Sequence, residues 1–257
     1  MSSTSEHAEA VREAREYAAR TEAFISQRHA EIYDLGIPVG FEDDRVTTFV
    51  DAFVEGGRYP LERIIEVTLR AIDVRLQQEY IAFDCGLMNE ILYGDNARDE
   101  AYQARARVRL ARMALQQSLI GRSRILWEKV FRWIYFIENG CDIAGRSIKG
   151  RFFAWASATP CWRFLEVYEA LVDKFDQTYR TAEYHKHSVV RALMLHGTTI
   201  GDNELLTMVN GANPIPRNVV QIVREGWINQ FVDLHCIEGD YHRGINNRYL
   251  RPAGDNQ

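Results

Sequence analysis

Apolar residues recur along this chain at spacings of three and four and nowhere in sustained alternation, a pattern that predicts helices throughout and no sheet. From about Glu6 to Asp34, Tyr17, Phe24, Ile25 and Ile32 draw an intermittent apolar stripe on a charged background, and Gly36 and Pro38 stop it. Asp43 or Asp44 is placed to cap a short helix through Phe53, which Gly56 and Gly57 close. Pro60 suits the first turn of another helix running to about Tyr93, and Gly94-Asp95-Asn96 then turns the chain. The longest helix is expected from about Asp99 to Asn139. Its second half carries Leu126, Trp127, Val130, Phe131, Ile134 and Phe136 on most sides, as a central buried helix does. Asn139-Gly140 ends it, residues 144–151 read as a basic, glycine-bounded loop, and helical periodicity resumes from about Pro160 to Tyr179. A further helix to about Leu195, a short one after Asp202, a last one from about Arg217 to His235 and a polar tail complete the pattern.

A chain of 257 residues with 46% hydrophobic and 26% charged residues can bury one sizeable core. No stretch approaches the roughly twenty apolar residues needed to span a bilayer. The first 22 residues are too polar and acidic for a secretory signal, so a cytoplasmic protein without a membrane association is expected. Cys85, Cys141, Cys161 and Cys236 are widely separated and form no Cys-x-x-Cys pair. They read as reduced, mostly buried thiols, with neither a zinc site nor a disulfide frame.

The net charge of −5 conceals an asymmetry, because residues 101–165 hold twelve Arg or Lys against Glu128, Glu138 and Asp142 alone. Arginine clusters of this kind suit a polyanion, and they also dress ordinary solvated helix faces. Arg122, Arg124, Arg146, Lys149 and Arg151, with Arg191 further on, are the candidate RNA contacts. The aromatic groups Trp127-Phe131-Trp133-Tyr135 and Phe152-Phe153-Trp155 lie at helical spacing and are expected as packing.

The stretch Arg180-Thr181-Ala182-Glu183-Tyr184-His185-Lys186-His187 sets a permanent cation ahead of two imidazole-bearing positions, with four and six residues intervening. A guanidinium grips phosphate and an imidazole exchanges a proton near neutral pH, so the pair suits phosphodiester chemistry without metal. On a helix His187 returns to within about 20° of Arg180, whereas His185 lies about 140° away. Glu183 falls one turn from both Arg180 and His187, where it can orient an imidazole or hold the arginine. The plain alternative is a solvated helix face whose ion pairs contribute little.

The order of elements, with Arg180-Thr-Ala-Glu-Tyr-His185 opening the final bundle helix, resembles the HEPN superfamily over about Arg98 to Leu195. That resemblance implies an all-α, HEPN-like antiparallel helical bundle that dimerises so that both copies of the motif line one cleft. It divides the chain into an N-terminal helical region (1–97) packed on the bundle, the bundle itself (98–196), and a C-terminal helical extension and tail (197–257). It further implies a metal-independent endoribonuclease in which Arg180 holds the scissile phosphate and His185 or His187 moves the proton, with RNA, a second copy and a regulatory protein as partners and no cofactor. Thr181 stands where the family often has Asn, Asp or His. Two other readings stay open: a helical interaction or nucleotide-binding module without turnover, and a metal-binding bundle drawing on Glu183, His185, His187, His235 and His242. No nucleophile elbow or Gly-rich phosphate loop is present in the sequence.

Overall fold

The computed structural model describes residues 3–33 and 46–177, and within them every regular element is helical. The helices are α1 (Ser3–Tyr33), α2 (Val46–Gly56), α3 (Ile64–Tyr93), α4 (Glu100–Ala104), α5 (Ala106–Asn139), α6 (Ile148–Ala158) and α7 (Glu166–Phe175). Short 3₁₀ turns at Leu61–Arg63 and Pro160–Leu165 lead into α3 and α7. None of the described helices is long and apolar enough to cross a membrane.

The centre is the antiparallel pair α3 and α5, whose cross-contacts climb one helix as they descend the other. Arg63 Nη1 donates to the carbonyls of Ile137 and Glu138, each at 3.1 Å. Lys129 Nζ lies 3.3 Å from Asp73, Gln77 Nε2 donates to the Arg122 carbonyl at 3.1 Å, and Ser118 Oγ donates to Asp84 Oδ2 at 2.6 Å. A single core packs around this pair and runs from Ala14 and Ala18 of α1 to Phe175 of α7. α1 and α2 form an antiparallel hairpin on one side. Arg15 pairs with Asp51 at 3.1 Å, and Glu22 accepts the Val46 N–H at 2.6 Å, satisfying one of the backbone donors that a helix start leaves open.

On the other side α6 and α7 close over the aromatic half of α5. Phe131 stacks on Phe152 with centroids 4.4 Å apart and meets Phe153 edge-on at 5.1 Å, while Phe175 meets Trp127 at 4.8 Å. The expected packing role of these aromatics is what the structure shows. α7 runs back along α5, from Trp162 Nε1 on Glu138 at 2.7 Å to Asp176 on Arg124 at 3.1 Å. The turn that permits this begins at Gly140, whose φ of 66° is left-handed. A Cβ there would also meet the Arg63 guanidinium at 2.7 Å. Glu138, two residues before Gly140, gathers Arg58 at 3.2 Å, Tyr59 Oη at 2.9 Å and Trp162 on a single carboxylate oxygen.

Three boundaries differ from the pattern in the sequence. The long helix expected from Asp99 is broken, because Arg105 is extended between α4 and α5. Residues 148–151, expected in a loop, open α6, since Ile148, Phe152 and Ala156 recur every fourth residue and bury together, outweighing Gly150. The stretch after Pro160 is a 3₁₀ turn before it becomes α7. The expected boundary near residue 97 falls in the turn between α3 and α4, and the helices on either side of it share the one core. The Asp43 or Asp44 cap, the helices expected beyond residue 177 and the C-terminal extension lie outside the described residues.

Replacing Phe131 with Ala removes the ring that α6 packs against, and chemical denaturation is expected to show a loss of about 3–5 kcal/mol. Gly140→Ala is expected to cost about 1 kcal/mol or somewhat more, from the left-handed backbone and the displaced Arg63. A larger loss for Gly140→Ala than for Phe131→Ala would contradict this ordering.

Candidate nucleic-acid interface

The basic stretch of the sequence divides in the structure into two populations. Arg124 is 8% exposed, and its Nε lies 3.1 Å from Asp176 Oδ1 while Nη2 lies 3.3 Å from Glu128. Lys149, half-buried at the start of α6, contacts Asp173 and sits 3.4 Å from Asp176 Oδ2. Arg124 and Lys149 thus converge on one buried carboxylate and tie α5, α6 and the end of α7 together. Expected as RNA contacts, both have their charge met inside the protein, and Arg124 is turned away from solvent. Removing one partner of such a pair is far more costly than the pair itself is stabilising, because it leaves a buried charge alone.

Arg122 occupies an intermediate position. Its Nε lies 3.3 Å from Asp84 Oδ2, its Nη1 donates to the Tyr80 carbonyl at 3.1 Å, and its guanidinium covers the Tyr80 ring at 5.0 Å. Asp84 itself is buried and also takes the Ser118 hydroxyl. Burial, with the Asp84 carboxylate beside it, pushes the neighbouring Cys85 thiol up to about 12. Cys85 therefore stays protonated at neutral pH; of the two cysteines whose exposure is described, it is half-buried and Cys141 is exposed.

Among the described residues, exposed arginines without an ion pair stand at the two ends of α5. Between Glu100 and Glu128 the chain has six arginines and no acid. Arg105, Arg107 and Arg109 are exposed at the start of α5, and among the described residues none of the three forms an ion pair. Arg105 and Arg109, with half-buried Arg112, are spaced at i, i+4 and i+7 on one face. Cations at a helix N-terminus oppose the macrodipole, and the first turn of α5 holds no acid, so helix stability does not account for them. At the far end of this 34-residue helix, about 50 Å away by its rise, Arg146 and Arg151 are exposed around Gly145. Gly145 has a φ of 91°, and its bare Cα lets the Arg151 guanidinium lie against the loop. The sequence reading emphasised Arg122 and Arg124 over Arg105 and Arg109. The signal that separates them is position: the former pair lies on the apolar half of the helix, the latter before it.

Arg180, Glu183, His185, His187 and Arg191 lie outside the described residues, as do His235 and His242. Among the described residues no cluster of three or more His, Cys, Asp or Glu could hold a metal. No protein-family model, curated protein or solved structure matches the chain.

Alkylation with iodoacetamide near pH 8, followed by peptide mapping, is expected to label Cys141 within minutes and to leave Cys85 unmodified until the protein is unfolded. Equal labelling of the two in the native protein would refute the raised pKa of the half-buried Cys85 thiol.

Proposed function

We propose that this chain is an RNA-binding helical protein whose Arg180–His187 segment cleaves the phosphodiester backbone without metal. The observation that supports it most is the acid-free arginine run leading into α5, in which Arg105, Arg107 and Arg109 stand exposed without an ion pair among the described residues. A second support is proximity along the chain. Asp176 is held on Arg124, and Arg180 is four positions further along the chain, a reach of at most about 14 Å.

In the proposed reaction Arg180 neutralises the non-bridging oxygens of the scissile phosphate. One imidazole, of His185 or His187, takes the proton of the ribose 2′-hydroxyl as that oxygen attacks phosphorus. The bond to the 5′-oxygen breaks, and an acid returns a proton to it, leaving a 2′,3′-cyclic phosphate and a 5′-hydroxyl. Glu183 orients the imidazole. The test is incubation of purified protein with single-stranded and structured RNA in EDTA. Cleavage is expected in the wild type, with a loss of roughly 10²–10⁴-fold in the variant lacking the working histidine and a comparable loss in Arg180→Ala. Binding without cleavage would favour the non-catalytic interaction or nucleotide-binding module. Cleavage that requires added metal and survives Arg180→Ala would favour the metal-binding bundle.

The homodimer belongs to the same proposal, and one surface favours it. Leu69, Tyr80 and Phe83 on the outer face of α3 are 43%, 54% and 37% exposed, and Ile125 of α5, beside them, is 48% exposed. The flanking charges are already neutralised within the chain, Lys129 by Asp73 and Arg122 by Asp84, so a second copy meets an apolar face without like-charge opposition. Sedimentation at micromolar concentration is expected to show a dimer that Tyr80→Lys with Phe83→Glu converts to a folded monomer. A dimer unchanged by both substitutions would exclude this face, and a monomeric wild type would exclude the dimer.

A further inference from the structure

We infer that the corner joining α3, α4 and α5 is a platform for single-stranded RNA, with Tyr93 and Tyr102 stacking on bases and Arg105 and Arg109 taking phosphates. This rests on the RNA-binding reading and gives it a substrate class. Tyr93 ends α3 and is 63% exposed, more than Phe24, Tyr80 or Phe83. Gln103 Nε2 donates to the Ile91 carbonyl at 2.8 Å and to the Ala97 carbonyl at 3.4 Å, folding α4 back onto the end of α3 and bringing Tyr102 to the same corner. Asp99 caps α4 by accepting the Ala101 N–H at 2.9 Å, and the Arg105 N–H closes on the Tyr102 carbonyl at 3.1 Å. The corner is therefore preorganised by its own hydrogen bonds. The Arg105 guanidinium lies over the Tyr102 ring at 5.7 Å, so cation and ring face already lie together.

The combination selects strandedness. Arg105 and Arg109 are one turn apart, about 5–6 Å between Cβ atoms, and can take neighbouring phosphates of one strand. A duplex hides its base faces in the stack and is read by shape across a long footprint, which so small a corner does not offer. A splayed strand presents a π-face with every base, and Tyr93 and Tyr102 can use it. Glu90, Asp95, Asp99 and Glu100, all exposed nearby, offset the charge of Arg98, Arg105, Arg107 and Arg109, so attraction to phosphate alone is weak and stacking supplies the preference.

The test measures binding of the full chain to a fluorescent 2′-O-methyl 12-mer, which lacks the attacking hydroxyl, and to the same strand in a duplex, with circular dichroism confirming that each variant is folded. The single strand is expected to bind at least tenfold more tightly. Tyr93→Leu and Tyr102→Leu should each weaken it by roughly tenfold while leaving the salt dependence unchanged, because stacking releases no counterions. Arg105→Gln combined with Arg109→Gln should instead reduce the slope of log affinity against log salt by about one or more. Equal affinity for duplex and single strand, or tyrosine variants that bind as the wild type does, overturns the platform while leaving RNA binding intact. Failure of the wild type to bind either form overturns the RNA reading itself.

Discussion

Every described element depends on the register of α3 against α5. Both helices are long, 30 and 34 residues, and two cylinders of that length packed on apolar surface alone could slide past one another by a turn at modest cost. Polar contacts spaced along the seam remove that freedom, from Arg63 on the last carbonyls of α5 to Asp84 on Ser118. Apart from Lys129 on exposed Asp73, these contacts are half-buried or deeper, so a slipped register would leave charged or amide groups out of water and without partners. The α1–α2 hairpin and the α6–α7 hairpin then dock on opposite sides of a fixed pair.

The end of α5 decides where the rest of the chain goes. Gly140 turns it, and Glu138 collects Tyr59 from one side of the pair and Trp162 from the other. With Trp162 fixed, the 3₁₀ turn and α7 have one direction left to run, back along the aromatic face to Arg124. The proposed catalytic stretch begins four positions after that anchor, so under that proposal the buried Arg124–Asp176–Lys149 network acts through position and not through contact with a ligand.

Arginine has two uses in this protein. Where α5 is packed on several sides, each guanidinium is answered by a carboxylate: Arg124 by Asp176, Arg122 by Asp84. On α3, Arg75, only 3% exposed, meets Glu79 one turn away at 2.6 Å. At the start of α5 the exposed arginines stand in solvent with the helix dipole adding to their field, an arrangement that costs local stability and attracts anions. The same residue type thus holds the bundle together at one level and is available to a ligand at another.

Much of the fold was legible in the sequence, because helical periodicity is local. The spacing of Leu126, Trp127, Val130, Phe131 and Ile134 marked the buried half of α5, and Gly94 and Gly140 marked its neighbours' ends and its own, since a repeat of three and four needs no distant partner to be read. The break at Arg105 and the start of α6 at Ile148 were not legible, as each depends on what the segment packs against. The division of the arginines was equally hidden: Arg124 and Arg109 look alike in a list, and what separates them is a carboxylate 52 positions further along the chain that only α7, turned back by Gly140 and Glu138, brings within 3.1 Å. Sequence determined which segments are helices and which residue types could meet phosphate. Tertiary structure decided which of those charges are spent inside the protein, because burial and charge pairing are properties of neighbours in space.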